Sequence, residues 1–164
     1  MTVKSFEKWT TQEVERTFGV EFHKKLPSMD KWLSFETKIS AEESKRLEEL
    51  RFFLEEMANF WREEDIKVFF IVPIISIVNF YIFNKYRSFM ETTFQSELKD
   101  VKDNTHVLRG RVEMVVATGK QDPETPFFFL NEYKAQKNVV TDPQGQLLIA
   151  MLAAQSKNNG LNLF

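Results

Sequence analysis

Apolar residues recur at intervals of three and four from Leu47 through Leu50, Phe53, Leu54, Met57, Phe60 and Trp61, a spacing that predicts an amphipathic helix. Ser40-Ala-Glu-Glu43 opens it as a capping box, and the helix is expected to run to about Arg62 with a solvated charged face. Glu63-Glu-Asp65 then starts a second helix, to about Val78, with Pro73 inside as a source of bending. From Tyr86 the pattern changes to short apolar runs separated by turn residues. Phe89–Leu98 alternates weakly and reads as a strand near an edge. Val107–Thr118 is the second strand, and Pro126–Tyr133 the third, apolar on both faces through Phe127–Leu130 as a central strand should be. Asp142-Pro143 supplies an N-cap and a first-turn proline for a helix over Gln144–Lys157, which Asn158-Asn-Gly160 ends. Residues 1–39 are mixed, with short helical candidates near Thr11–Phe18 and Ser28–Phe35, interrupted by Gly19 and Pro27. The order is therefore helix, three strands, helix, and the class is α/β.

Length and composition add three constraints. At 164 residues the chain is expected to form one folded unit, and its 17 phenylalanines suggest a Phe-rich core. The net charge of −2 is divided unevenly, −4 over residues 1–65 and +2 over residues 66–164, which permits a polyanionic partner without arguing for one. The absence of cysteine removes disulfides, thiolate metal sites and cysteine nucleophiles, and fits a reducing cytoplasm. With His23 and His106 alone, a multi-histidine zinc site is disfavoured. The N-terminal residues lack the apolar stretch of a signal peptide. Val68–Phe83 is uncharged, but at sixteen residues, with Pro73, Ser76 and Asn79 inside, it falls short of a membrane span and reads as a buried helix.

Two carboxylates and an amine carry the candidate chemistry. Glu132 and Lys134 are two residues apart, so in a strand they share a face, and Glu113 lies in the apolar run Val112–Ala117 of the preceding strand. Both acids are expected where strands end. Such a group suits a divalent cation, an activated water and a developing anion, the needs of metal-dependent phosphodiester cleavage.

The ordered segments Glu63-Glu-Asp-Ile-Lys-Val-Phe-Phe-Ile-Val-Pro73, Leu108-Arg-Gly-Arg-Val-Glu113, Phe129-Leu-Asn-Glu-Tyr-Lys134 and Asp142-Pro-Gln-Gly-Gln-Leu-Leu148 resemble the PD-(D/E)xK nuclease superfamily. More narrowly, they are similar to the nuclease domain at the N-terminus of type I restriction enzyme motor subunits and to related stand-alone bacterial proteins. The resemblance implies a restriction-endonuclease-like core over residues 63–164, an N-terminal helical region over residues 1–62 packing on it, and Mg²⁺ or Mn²⁺ as cofactor. By the same resemblance Glu113 stands where the family carries aspartate and Glu132 is the second metal ligand. The carbonyl of Tyr133 is then a third ligand, and Lys134 acts on the attacking water or the transition state. Glu63, with Glu64 as the lesser candidate, matches the helix acid, and Gln146 a glutamine beside the lysine. The substrate implied is nucleic acid, DNA first, in a restriction or defence setting, with no membrane partner. Only Leu161-Asn-Leu-Phe164 follows Gly160, where the family continues with a further strand, so a truncated C-terminal strand and a homodimer completing the sheet edge are expected.

Plainer readings compete at each position. Glu132 and Lys134 would also serve as an exposed ion pair, Glu63 as a helix N-terminal charge, Gln146 as a helix-surface amide, and Arg109 and Arg111 as solvated strand charges before phosphate contacts. His106 reads as a loop histidine. The alternative function is a non-catalytic binding or assembly module on the same fold, and a second alternative is a helical interaction module built on residues 1–83.

Overall fold

The computed structural model describes residues 2–78, 85–131 and 142–159. In chain order the elements are β1 (Thr2–Ser5), a 3-10 turn (Phe6–Lys8), α1 (Thr11–Phe18), α2 (Pro27–Leu33), α3 (Ala41–Met57) and α4 (Glu63–Ile66). A π-helical turn (Lys67–Ile71), α5 (Val72–Val78), β2 (Arg87–Lys99), β3 (Thr105–Thr118), β4 (Glu124–Asn131) and α6 (Pro143–Lys157) follow. The chain divides into a sheet unit, residues 1–20 with 79–164, and a helical unit, residues 21–78. The expected boundary between residues 62 and 63 falls inside the helical unit, and the first 20 residues belong with the sheet.

In the sheet unit, β3 is the centre. Along one side it pairs antiparallel with β2 from Lys99↔Thr105 to Arg87↔Ala117. Its other partners are β1, parallel over His106–Arg109, and β4, antiparallel from Met114↔Asn131 to Thr118↔Glu124. The expected edge position of β2 agrees with its pairing to β3 alone among the described residues. The central strand is β3 rather than the third strand, because β4 has β3 as its one partner among the described residues.

One face of this sheet is covered by α6, with α1 packed beside it. Ile149, Ala150, Ala153 and Ala154 form the buried stripe of α6 at helical spacing, and the alanines let the helix lie close to Phe94, Leu108 and Val112. Phe6 packs against β3 at Gly110, where a Cβ would stand 2.1 Å from the Phe6 ring.

Alternation breaks at one place. In β3 the core-facing residues are Leu108 and Val112, then Val115 and Ala117; in β2 they are Phe94 on one frame and Phe89 on the other. A strand repeats every two residues, so both strands change frame between these positions. Register survives, with Met90 opposite Met114 and Thr92 opposite Val112, while the rung between Glu91 and Glu113 is missing. Glu91 has φ 51°, a left-handed conformation uncommon for a non-glycine residue in mid-strand, and that turn resets the faces.

The start of α6 is as the sequence predicts. Asp142 caps it, accepting from Gly145 N–H at 3.0 Å, and its other oxygen accepts from Thr11 N–H at 2.7 Å, tying α6 to the start of α1. These donors, Thr11 first, hold the Asp142 carboxyl below its ordinary value. A depressed carboxyl stabilises the fold above its unfolded pKa, and the contribution is lost as pH falls through the folded value. Asp142→Ala is expected to cost about 1–2 kcal/mol at neutral pH. In paired urea denaturations the gap between variant and wild type should narrow below about pH 4, as the wild-type carboxyl protonates. An equal gap at all pH values would show that the charge plays no part.

The turn joining β2 to β3 is built on Asp100, which accepts from the backbone N–H of Lys102 and of Asn104, each at 2.8 Å. His106 Nε2 lies 3.0 Å from the same carboxylate, and its ring stands edge-on to Trp9 and Phe18. His106 first, then Asn104, hold the Asp100 carboxyl well below the usual carboxylate range. The expected loop histidine is thus a β3 residue, paired across to Leu98 and Thr2.

In the helical unit, Ser40 and Glu43 form the expected capping box, and α3 ends at Met57, five residues before the expected Arg62. Pro27 opens α2 at its first turn rather than interrupting it. The helix expected from Glu63 to Val78 forms as α4, the π-helical turn and α5. The wide turn ends two residues before Pro73, which lacks the N–H and whose ring would crowd the carbonyl four residues back. The expectation that Val68–Phe83 is a buried helix is corrected over its described part: Val68, Phe69 and Val72 are exposed. No helix among the described residues is long and apolar enough to cross a membrane. The Phe-rich core is likewise corrected. Among the described residues Phe6, Phe89 and Phe94 are buried, whereas Phe22, Phe35, Phe52, Phe53, Phe60 and Phe69 are exposed. Hydrophobic residues of α3 divide the same way, with Leu47, Leu50, Leu54 and Met57 half-buried and none fully buried.

Candidate functional site

Glu113 is not at a strand end. It lies inside β3, five residues before Thr118, because β2 and β4 both continue to pair beyond it. The residue is half-buried, and its Oε2 is shielded from solvent. Val112 before it and Val115 after it both face the core, so the change of frame falls at Glu113 and Met114, just beyond the stretch of β3 that carries the exposed Arg109 and Arg111. Arg111 donates from Nε to the Glu91 carbonyl at 3.2 Å and from Nη2 to the Glu91 carboxylate. It therefore holds the left-handed residue that stands across from Glu113.

β4 approaches the same point. Its last described residue, Asn131, pairs with Met114, the neighbour of Glu113. Glu132 is the next residue in the chain. Glu132, Tyr133 and Lys134 themselves lie outside the described residues.

Gln146 is in the first turn of α6, 3 % exposed, with Oε1 shielded from solvent. That corrects the plain reading of a helix-surface amide. It is held there because Gly145, beside it, packs against the backbone of Trp9, Thr10 and Thr11. Glu113 and Gln146 thus belong to the sheet unit, whose α6 packs on β2, β3 and β4.

Glu63 and Glu64 belong to the helical unit. Glu63 is half-exposed at the first position of α4, and the free N–H of Arg62 is satisfied by Asp65 at 2.9 Å rather than by Glu63. Glu64 lies 3.4 Å from Lys67 Nζ. Two residues escaped the sequence reading. Lys67, 7 % exposed, is buried in the π-helical turn; its charge within Ile66–Ile71 was the signal available. Glu91 gave no signal, because its backbone conformation is the kind normally announced by glycine.

The oxygen donors present, the Glu113 carboxylate and the Gln146 amide, are of the hard type that Mg²⁺ or Mn²⁺ takes. Among the described residues no three His, Asp or Glu side chains gather into a group that could hold a metal. The comparisons with known proteins add no constraint: no protein-family model, no curated protein and no solved structure matches the chain.

Proposed function

We propose that this chain is a divalent-metal-dependent nuclease of the PD-(D/E)xK kind, acting on nucleic acid, DNA in the first instance. The observation that carries the reading is the antiparallel pairing of β3 with β4, which ends at Met114↔Asn131, beside Glu113 on one strand and immediately ahead of Glu132 in the chain. The order of helix, three strands and a capped helix with Gln146 in its buried first turn supports it. In this reading Glu113 and Glu132 hold Mg²⁺ or Mn²⁺ with the Tyr133 carbonyl, and Lys134 assists the attacking water. Gln146 orients its neighbours within the sheet unit. The metal supplies a lowered water pKa and charge neutralisation at phosphorus. A Mg²⁺ ion that keeps several waters needs few protein ligands, which suits so small a donor set.

Calorimetric titration of Mn²⁺ tests the metal site. Wild type is expected to bind Mn²⁺, and binding should be lost in the Glu113→Ala/Glu132→Ala double variant. A wild type that takes up no Mn²⁺ would remove the nuclease reading. The second reading, a non-catalytic binding or assembly module on the same fold, is favoured by one observation in the helical unit. Trp32, Phe35 and Phe60 are 70 %, 78 % and 79 % exposed, large apolar side chains open to a partner.

A further inference from the structure

Arg109 has a position that the metal site does not explain. On the side of the sheet away from α6, β3 presents Arg109 and Arg111, both exposed and two residues apart, with Glu113 two residues farther along the strand. Cross-strand partners share a face, so Ser5 and Gln95 flank Arg109, and Thr93 flanks Arg111. The result is a shallow groove of about 310 Å³ lined by Val3, Ser5, Thr93, Arg109, Gly110 and Arg111. Its polar lining is two guanidinium groups and neutral hydroxyl donors, with a neutral amide, Gln95, alongside. Between the arginines Gly110 contributes backbone to the groove, its absent side chain lying on the Phe6 side of the sheet.

Charges on this face are not equal in their availability. Arg111 is engaged by Glu91. Glu97, the other carboxylate here, is opposite Val107, farther from Glu113 than Arg109 is. The guanidinium of Arg109 is left without a hydrogen bond or ion pair among the described residues. A free planar guanidinium among neutral donors matches a phosphodiester, whose oxygens accept and whose charge is single. An acidic peptide would place bulkier, irregularly spaced carboxylates over the same short strip.

We infer that the open face of β1, β3 and β2 around Arg109 and Arg111 is the track on which the phosphodiester backbone of a nucleic acid lies as it runs toward Glu113. Arg109 is the primary contact and Arg111 a second, reached by exchange of its Glu91 carboxylate for phosphate. The inference deepens the proposed nuclease reading and rests on it for the direction of the track. Its contacts are to backbone oxygens, so binding by this face is indifferent to base sequence and falls with salt.

The test is fluorescence anisotropy of a labelled DNA oligonucleotide titrated with full-length protein in EDTA, where no metal contributes. Arg109→Glu is expected to weaken binding at least roughly tenfold, as loss of a charge-assisted hydrogen bond would. Arg109→Gln should lower the slope of log K against log salt by about 0.7–0.9, the share of one phosphate contact. Arg109 is exposed and holds no hydrogen bond or ion pair among the described residues, so neither variant should unfold, and circular dichroism checks this. The control Arg46→Glu on α3 should bind as wild type does. Wild-type affinity and slope in both Arg109 variants would overturn the inference, as would a wild type that binds no oligonucleotide. Binding that depends on Arg109 in a chain that takes up no Mn²⁺ would leave the phosphate track standing and remove the nuclease reading. Metal-dependent cleavage with unchanged Arg109 variants would do the reverse.

Discussion

Lys134→Ala is expected to lower metal-dependent cleavage of nucleic acid by about 10²–10⁴-fold while Mn²⁺ still binds. The separation of the two effects is the point of the experiment. In the proposed site the carboxylates hold the cation, whereas the lysine acts on the water or on charge that develops in the transition state. An interaction made only in the transition state affects turnover and leaves ground-state binding alone. Glu132→Ala should lose both metal and cleavage, because removing a ligand removes the ion that lowers the water pKa. Single-turnover cleavage of a labelled substrate, with parallel Mn²⁺ titrations, reads the two quantities independently. If Lys134→Ala cut at the wild-type rate, Glu132 and Lys134 would be the exposed ion pair of the plainer reading, a pair worth under ~1 kcal/mol.

The second large effect concerns stability. A Cβ on Gly145 would stand 2.5 Å from the Trp9 carbonyl oxygen and from the Thr10 carbonyl carbon, and 2.6 Å from Thr11 N. These are backbone atoms at the capped start of α1, where Thr10 and Glu13 form a capping box, so no side chain can swing aside. Two terms oppose each other in Gly145→Ala. Alanine in a helix gains up to ~1 kcal/mol over glycine. Overpacking at a contact this short costs about 1–3 kcal/mol or more, and the α1–α6 contact must open to admit the methyl group. The net expectation is destabilisation, read as a lower urea midpoint, and Gly145→Val should fail to give folded protein. Stabilisation by Gly145→Ala would mean that the two helix starts are held more loosely than the 2.7 Å bond between Thr11 and Asp142 implies.

Local chemistry was the legible part of this fold. Ser40 with Glu43 and Asp142 with Pro143 each announce a helix start within a few residues, because a cap needs its own side chain and the next turn only. The three strands after Tyr86 were legible for the same reason, as short apolar runs between turn residues. β1 was not. Four residues are too few to show alternation, and what makes Thr2–Ser5 a strand is the pairing of Thr2 with His106 far along the chain. The boundary at residue 20 follows from that pairing and was invisible with it. Frame reversal at Glu91 escaped because glutamate carries no mark of a left-handed φ, and the strand-end position expected for Glu113 fails because β2 and β4 go on pairing beyond it. The phenylalanines misled in the opposite direction. Composition reports how much apolar surface a chain owns, while Phe52, Phe53 and Phe60 show that it does not report where that surface goes.

The pairing of β1 with β3 also sets a timetable. Residues 1–20 and 79–164 form one unit with residues 21–78 between its two parts. On a ribosome the first strand emerges long before the strand that must accept it, so it waits unpaired through synthesis of the whole intervening helical segment. Helices α2 to α5 lie within residues 21–78 and can form in that interval, while pairing of β1 must await β3. Residues Thr2–Ser5 thus stay without their sheet partner until His106–Arg109 have been made.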